Sequence, residues 1–206
     1  MTELADRSRI SPKATQRREE ILNAAVRCFK KKGFHAASMS SIAKEFGMSA
    51  GLIYNYFDSK ESIIEAIVDR WVREYGSRIH IQWDHDRAVH RVEVERVIDS
   101  RLSARAPHAD DLSLFFEIMA EGFRNEKIAD CLRRAGVATR SLIRAQAVAC
   151  YRKNGFEPPE DLDERIAVIS SMFNGMLFEV AFNPESSRKK LVPVMADTLM
   201  FLESKK

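Results

Sequence analysis

The chain has 206 residues, of which 45% are hydrophobic and 31% are charged, and its formal net charge is +3. It contains no run of about 18 apolar residues, and its first residues lack the apolar stretch of a secretory signal peptide. Composition therefore excludes a membrane-spanning protein, and we expect a cytoplasmic protein with no membrane partner. Only 8 Gly and 6 Pro are present, which leaves room for long helices around a substantial core.

Positive charge is concentrated at the N-terminal end. Residues 1–60 contain 11 Lys and Arg against 6 Asp and Glu, whereas the remainder is slightly acidic. The first of these cations are Arg7, Arg9, Lys13, Arg17 and Arg18. They precede or open a predicted helix, where positive charge opposes the helix dipole, so they indicate phosphate contact or an arm in a minor groove. A flexible, solubilising basic arm over residues 1–11 is the alternative.

Residues 33–61 have the pattern of two short helices joined by a glycine turn. Ser38 is suited to cap the first helix, and Gly47 supplies the positive φ that a sharp helix end favours. Ser49 then caps a second helix over residues 50–56. In this pair of helices Ile42, Phe46, Ile53 and Phe57 are predicted to pack inward. The second helix is short and presents small and aromatic side chains outward, as a helix that enters a major groove does.

A longer third helix is predicted to begin directly after Phe57. Asp58 followed by Glu61 has the spacing of a capping box. Lys60 lies in the first turn of this helix, within reach of a phosphate. The helix would therefore connect the short helical pair directly to the rest of the chain.

The residues of this segment resemble the signature of the TetR/AcrR family. The matching positions are Gly33, Ser38, Ile42, Ala43, Gly47, Met48, Ser49, Gly51, Tyr54, Asn55, Tyr56, Phe57, Lys60 and Glu61. The resemblance covers about the first quarter of the chain. It implies an all-α, dimeric transcriptional repressor in which a ligand in the C-terminal domain releases the N-terminal domain from operator DNA. Ala50 and Asn55 depart from the residues common in the family, so base preferences of relatives do not transfer.

The motif predicts a DNA-contacting set within a helix-turn-helix domain over residues 1–60. Its members are Arg17, Ser38, Ser49, Ala50, Gly51, Leu52, Tyr54, Asn55, Tyr56 and Lys60. Gly51 would allow close backbone approach, and Leu52 is suited to a thymine methyl group. The alternative for any one of these side chains is packing within the helical domain.

Residues 61–206 are predicted to form a helical ligand-binding and dimerisation domain. Proline, glycine and asparagine positions divide this part into helices near 59–80, 88–105, 110–122, 125–153, 161–182 and 186–203. About nine helices are therefore expected in the whole chain. Asp161 and Glu164 have capping-box spacing, and Pro193 is expected to bend the last helix or delay its start.

A ligand site is predicted among the middle helices. Glu117 and Glu121 share one helical face in an aromatic and Met-rich stretch, where two carboxylates are costly unless they are solvated or paired. The predicted lining is Trp71, Phe116, Glu117, Met119, Glu121, Phe173, Phe178 and Glu179, with Trp83 nearby. Aromatic faces and carboxylates suit a lipophilic cation or an aromatic inducer. The alternative is that the aromatic residues form core and that Arg124, Arg133 or Arg144 pairs with the carboxylates.

Two further groups of residues are weaker candidates for a functional site. His80, Asp84, His85, Asp86 and His90 lie close in sequence, but a solvated connector explains them better than a metal site, and we expect no metal or cofactor. Cys28, Cys131 and Cys150 have no C-x-x-C spacing, and an odd number in a cytoplasmic chain argues against a disulfide framework. Each is expected to be a small buried residue, with a redox role as the alternative.

The last two helices are predicted to form the homodimer interface. The segment 166–182 is apolar around most of its circumference, so it needs cover on more than one side. Pairing across a two-fold axis would supply that cover and would match two DNA half-sites. The predicted interface residues are Ile169, Phe173, Met176, Leu191 and Leu199. The alternative is a central core helix of the monomer.

Two other classes of protein are disfavoured. The chain has no H-E-x-x-H, no nucleophile elbow and no glycine-rich phosphate loop, so we expect no enzyme. An architectural DNA binder would need basic residues throughout the chain. The hypothesis is therefore an inducer-released repressor, in which filling a cavity near Phe116, Glu117 and Phe178 moves the helix 59–80 as a lever.

Overall fold

The computed structural model describes residues 12–78, 87–102, 112–183 and 188–204, and within these ranges it is entirely α-helical. The helices are α1 (Pro12–Lys32), α2 (Met39–Phe46), α3 (Ala50–Tyr54), α4 (Lys60–Arg78), α5 (Arg87–Leu102), α6 (Leu112–Glu121), α7 (Glu126–Lys153), α8 (Leu162–Phe182) and α9 (Arg188–Ser204). The predicted all-α class with nine helices is thus confirmed over the described ranges. The chain divides into two compact units. The first contains the described residues up to Arg70 together with Ser113–Leu132, and the second contains Trp71–Leu112 and the residues from Arg133 onward.

The ends of α2 follow the predicted local chemistry. The Ser38 hydroxyl accepts the backbone N–H of Ser41, and the Ser41 hydroxyl accepts that of Ser38, so the two serines form a reciprocal cap. Gly47 ends the helix with φ 80°, a conformation that is costly for residues with a Cβ. The N–H of Met48 then bonds to the carbonyl of Ala43. These caps set the sharp turn between α2 and α3.

Two predicted capping boxes do not form as predicted. Helix α3 ends at Tyr54, whereas a helix over residues 50–56 was predicted. Before α4, Ser59 and Ser62 exchange hydrogen bonds between hydroxyl and backbone N–H, in place of Asp58 and Glu61. Asp161 stands at the N-cap of α8 but makes no side-chain cap hydrogen bond, because its carboxylate accepts from Arg165. Since hydroxyls and carboxylates both suit an N-cap, spacing alone does not choose between neighbouring candidates.

The core of the first unit is built from the inner faces of its helices. Its fully buried large side chains include Ile21, Leu22, Phe29, Ile42, Ile53, Phe57, Ile63, Ile64, Ile67, Leu114 and Ile118. Three of the four predicted packing residues, Ile42, Ile53 and Phe57, are in this set, and Phe46 is half-buried. Side chains from α6 therefore belong to the same unit as the helical pair α2 and α3.

An ion-pair cluster on the surface joins α1 to α2. The Glu45 carboxylate accepts hydrogen bonds from Lys31 Nζ at 3.0 Å and from Arg27 Nε at 3.1 Å. These hydrogen bonds lower the pKa of Glu45. The cluster therefore favours the ionised carboxylate in the folded state.

Replacing Glu45 by Gln is expected to lower the thermal midpoint slightly at neutral pH and to leave it unchanged in acid. The stabilisation by the ionised carboxylate is complete above the ordinary carboxyl pKa of 4.5 and is lost as the pH falls through the lower pKa of the folded state. Thermal melts of both proteins at neutral pH and near pH 3 measure this. An equal difference at both pH values would contradict it.

The second unit contains a core formed by α5, α8 and α9. Val94 and Ile98 of α5 pack with Val192, Met195, Ala196 and Leu199 of α9, and one side of α8 covers them. Arg91 Nε donates to Asp197 at 2.8 Å and links α5 to α9. Pro193 lies inside α9, which runs from Arg188 to Ser204, so the expected delay of its start to a point beyond the proline does not occur.

Helix α8 has two different apolar sides. Ile169, Met172, Phe173, Met176 and Leu177 are half-buried against the α5 and α9 core. The opposite side, which we call the outer face of α8, is exposed and consists of Ala167, Val168, Ser171, Asn174, Gly175, Phe178, Ala181 and Phe182. By length and composition α8 meets the criterion for a membrane-crossing helix. Only 6% of its apolar window is buried, and a single helix of this kind is weak evidence for a membrane span.

Of the five predicted dimerisation residues, one is buried in the core of the second unit and four are half-buried. Leu199 is buried, and Ile169, Phe173 and Met176 pack on the same cluster. Leu191 is half-buried on α9. Periodicity identified the apolar helix, but it does not separate a core side from an interface side when both are apolar.

Candidate nucleic-acid interface

Helices α2 and α3 form a helix-turn-helix in which α3 is anchored to the core by Ile53 and by Phe57, which follows the helix. Ile53 is fully buried, whereas Tyr54 next to it is 52% exposed. The backbone N–H of Phe57 bonds to the carbonyl of Ile53, and Phe57 is buried as well. These two anchors fix α3 so that Tyr54 points away from the core.

The predicted DNA-contacting residues of α3 lie on or beside this open surface. Ser49, Gly51, Tyr54 and Asn55 are exposed; Ala50, Leu52 and Tyr56 are half-buried. Ser49 makes no side-chain cap hydrogen bond, which leaves its hydroxyl on the surface. A Cβ added at Gly51 would meet no atom within 4 Å, so the backbone there faces open space.

Arg17 and Arg18 have different environments although they are neighbours in sequence. Arg17 Nη2 lies 3.3 Å from Met48 Sδ, in the turn before α3, and Arg17 Nη1 pairs with Glu20 at 2.9 Å. Arg17 thus stands beside the turn, as a phosphate-contacting residue would.

Arg18 has a structural position instead. Its guanidinium donates to the carbonyl oxygen of Tyr56 at 2.6 Å and lies 4.0 Å from the centre of the Phe57 ring. Burial lowers the pKa of Arg18, and the nearby carboxylates of Glu19, Asp58 and Asp69 oppose this effect. A cation at the carbonyl end of α3 also complements the helix dipole.

Lys60 and Ser38, two other predicted DNA contacts, are engaged within the protein. Lys60 Nζ donates to the carbonyl oxygens of Phe34 at 2.7 Å and Ala37 at 3.1 Å, and it lies 4.1 Å from the centre of the Phe34 ring. The Ser38 hydroxyl belongs to the cap of α2. Lys60 therefore holds the turn between α1 and α2 in this structure.

Replacing Lys60 by Ala is expected to reduce the free energy of unfolding by about 1–2 kcal/mol, because two carbonyls lose a charged donor. Denaturant unfolding of the wild type and the variant measures the change. Lys44→Ala on the exposed side of α2 serves as the control and is expected to cost less than about 0.5 kcal/mol. Equal stabilities of the Lys60→Ala variant and the wild type would show that these hydrogen bonds contribute little.

The two carboxylates of α6 contact the same turn from another side. Glu117 Oε2 accepts the backbone N–H of Phe34 at 2.8 Å, and Glu121 Oε2 lies 3.0 Å from His35 Nε2. The sequence predicted a ligand or an arginine as partner for these carboxylates. No local signal could have identified the turn, because 83 positions separate Phe34 from Glu117.

The predicted ligand set is divided between the two units. Phe116, Glu117, Met119 and Glu121 belong to the first unit, and Trp71, Phe173, Phe178 and Glu179 belong to the second. Met119 and Phe178 are exposed, and Phe173 packs on the second core. Glu179 accepts from the side chain of Asn183 at 2.8 Å.

A separate groove lies between α5 and α9, with a volume of about 320 Å³. None of the predicted ligand residues lines it. Its lining residues are Val92, Glu95, Arg96, Asp99, Lys189, Val192 and Pro193.

The histidine-rich segment is only partly described. His80, Trp83, Asp84, His85 and Asp86 lie outside the described residues, and His90 is buried on α5. Within the described ranges, no three His, Cys, Asp or Glu side chains come together as a metal site. Cys28 and Cys131 are buried thiols and Cys150 is half-buried.

The fold and the exposed α3 define a DNA-binding protein of the helix-turn-helix class. Residues 21–67 match the family model described as bacterial regulatory proteins, tetR family. The chain is 28% identical over 171 residues to the HTH-type transcriptional regulator UidR of Escherichia coli K12, an alignment that covers 79% of this chain and 81% of UidR. Residues 21–67 therefore carry the DNA-binding domain of the tetR family, and the chain over most of its length is similar to HTH-type transcriptional regulators.

Solved structures share the fold over nearly the whole chain. Salmonella enterica GusR superposes with a TM-score of 0.69 and 27% identity, covering 92% of this chain and 97% of GusR. A transcriptional regulator from Saccharomonospora viridis, solved in complex with choline, gives a TM-score of 0.68 at 22% identity and covers 93% of this chain and 97% of its own. The likeness to the second protein concerns the fold alone.

Proposed function

We propose that this regulator is a homodimeric repressor that binds operator DNA through α3 and is released by a small-molecule inducer. The observation that carries the proposal is the position of Tyr54, exposed on α3 directly beside the buried Ile53. A side chain held outward by a rigid support is suited to reading base edges, because its position is set before DNA arrives. Arg17 beside the turn supplies the phosphate contact.

Dimerisation through the outer face of α8 supports this function. Two copies related by a two-fold axis would present two α3 helices to two half-sites. The outer face combines large apolar side chains, Val168, Phe178 and Phe182, with the small Gly175 and Ser171. Small residues allow close helix approach, and an exposed apolar stripe of this kind is typical of an interface. We therefore assign Phe178 to the interface in preference to the ligand set.

Release by an inducer would act on the spacing of the two α3 helices. Helix α4 begins three residues after Phe57 and continues without interruption from the first unit into the second. A ligand that binds one conformation more tightly shifts the population toward it. A shift of α4 would then change the half-site separation, which must match a groove repeat of about 34 Å.

The inducer class proposed is a lipophilic cation or an aromatic compound. The adjacent rings of Phe115 and Phe116 on α6, with centres 5.5 Å apart, favour a ligand with apolar or π surface. The choline held by the Saccharomonospora viridis protein is a quaternary ammonium. Choline and lipophilic cations are therefore among the compounds to be tested, together with neutral compounds.

The experiment is release of the purified protein from DNA upstream of its own gene. Fluorescence anisotropy of the labelled DNA is followed while choline, lipophilic cations, neutral aromatics and glycoside conjugates are added one at a time at constant ionic strength. Release by one class, with random DNA unaffected, is the expected result. Release by none of the classes, or equal release by all of them, would contradict the proposal of a ligand-responsive repressor.

A further inference from the structure

The turn between α1 and α2, residues 33–37, is contacted by side chains of α4 and α6, two helices that are distant in sequence. Lys60 of α4 donates a hydrogen bond to the carbonyl oxygen of Phe34. From α6, Glu117 accepts the backbone N–H of Phe34, and Glu121 lies beside His35. We propose that Glu117 and Glu121 are positioning residues for DNA recognition, which couple α6 to the helix-turn-helix. This inference rests on the proposed operator binding and concerns contacts within the first unit.

The contact at Phe34 is specific in its geometry. Gly33 has φ 74°, which turns the backbone so that the next N–H points at α6. Glu117 Oε2 accepts that N–H at 2.8 Å, and Glu117 Oε1 lies 3.6 Å from the place where a Cβ of Gly33 would stand. Because the acceptor is an ionised group, this hydrogen bond is stronger than one between neutral groups. Phe34 is thus held at its N–H by α6 and at its carbonyl by α4.

The second contact places a carboxylate inside the protein. Glu121 is 8% exposed, and its Oε2 lies 3.0 Å from His35 Nε2, whose ring is largely exposed, in a close contact that lacks hydrogen-bond geometry. Removing a carboxylate from water is costly unless a partner compensates it. Glu121 is therefore expected to keep its place only while His35 stays beside it. The two carboxylates, one turn apart on α6, thus meet two consecutive residues of the turn, Phe34 through a hydrogen bond and His35 through a close contact.

The turn 33–37 leads directly into α2 and α3, the helices of the proposed DNA-binding surface. Ala37 is buried, its N–H bonds to the carbonyl of Gly33, and the next residue, Ser38, is the cap of α2. Helix α2 is joined to α3 by only three residues. A displacement of the turn would therefore move α2 and the exposed Tyr54 with it.

The chain connects α6 to the second unit on both sides. The boundary between the units falls at residues 112 and 113, at the start of α6, and again at 132 and 133. The later crossing lies inside α7, which is one continuous helix from Glu126 to Lys153. Since the contacts of Glu117 and Glu121 are proposed to position the helix-turn-helix for DNA, linkage requires that DNA binding in turn stabilises α6.

The test compares three variants for operator binding and for hydrogen exchange in α6. Glu117→Ala removes the acceptor, Glu117→Gln keeps an oxygen that can accept the Phe34 N–H, and Glu45→Ala removes another carboxylate of the first unit that has no contact with α6. Dissociation constants for the upstream DNA are measured by anisotropy. Deuterium uptake of residues 112–122 is measured with and without that DNA, and melting temperatures are recorded for each protein.

In the wild type we expect DNA to protect residues 112–122 from exchange. Glu117→Ala is expected to weaken operator binding about tenfold and to abolish that protection. Glu117→Gln and Glu45→Ala are expected to stay within about threefold of the wild type and to keep the protection. His35→Ala, which removes the partner of Glu121, is expected to weaken operator binding in the same direction as Glu117→Ala.

The outcomes separate this inference from the function on which it rests. Failure of the wild type to bind the upstream DNA would overturn the proposed function. Wild-type binding without protection of α6 would overturn the coupling alone, and this holds even if Glu117→Ala does not fold. Equal losses in Glu117→Ala and Glu45→Ala, in step with their melting temperatures, would also overturn it, because they would show a purely structural role.

Discussion

Replacing Phe178 by Asp is expected to dissociate the dimer and to lower operator affinity about 100-fold or more. Phe178 is 55% exposed on the outer face of α8, and its ring centre lies 4.7 Å from that of Phe182. In a two-fold dimer a carboxylate at this position would be buried without a partner, which is strongly unfavourable. A monomer holds only one half-site and loses the gain in effective concentration that links the two binding events.

Light scattering coupled to size exclusion reports the mass of the variant, and anisotropy reports its affinity for the upstream DNA. Phe156→Asp is the matched control, since Phe156 is 52% exposed in the turn that follows α7 but lies off the outer face. We expect the control to remain dimeric and to bind as the wild type does. A dimeric Phe178→Asp variant would show that the outer face of α8 is not the interface.

Replacing Tyr54 by Ala is expected to weaken specific operator binding by about 1–3 kcal/mol and to leave binding to random DNA nearly unchanged. Because the side chain is exposed and Ile53 carries the packing of α3, folding stability should change little. Loss of the ring and hydroxyl removes contact with base edges, whereas the phosphate contacts, which supply non-specific affinity, remain.

Competition anisotropy against unlabelled random DNA separates specific from non-specific affinity. Tyr54→Phe is informative as a second variant, because it keeps the ring and removes only the hydroxyl. An intermediate loss in Tyr54→Phe would assign part of the discrimination to a hydrogen bond. Unchanged operator binding by Tyr54→Ala would show that α3 does not read the DNA as proposed.

The sequence predicted the features of the fold that depend on local chemistry. Ser38 and Gly47 set the ends of α2 as their backbone preferences require, and Ile53 and Phe57 are buried as their spacing predicts. The all-α class was implied by the family resemblance, and the scarcity of glycine and proline and the apolar periodicity agreed with it. The resemblance in residues 33–61 located the helix-turn-helix, which the match of residues 21–67 to the family model confirms.

The features that sequence did not predict are long-range contacts of polar groups. Lys60 was assigned to a phosphate, but its ammonium holds two carbonyls of a turn about 25 residues earlier in the chain. Glu117 and Glu121 were assigned to a ligand, but Glu117 accepts the N–H of Phe34 in the same turn and Glu121 lies beside His35. A charged side chain forms hydrogen bonds with the polar groups that the fold brings near. Because these groups are often distant in sequence, the spacing of residues does not predict them.

The central claim is that the surface around Tyr54 binds DNA in a sequence-preferring manner. The most direct measurement is the anisotropy of wild-type protein with the DNA upstream of its own gene and with a shuffled duplex of the same length and composition, over a range of salt concentrations. We expect the protein to bind the upstream DNA at least 1000-fold more tightly than the shuffled duplex at physiological salt, and its affinity for both duplexes to fall steeply as salt is added. Equal affinity for the two duplexes at every salt concentration would contradict it.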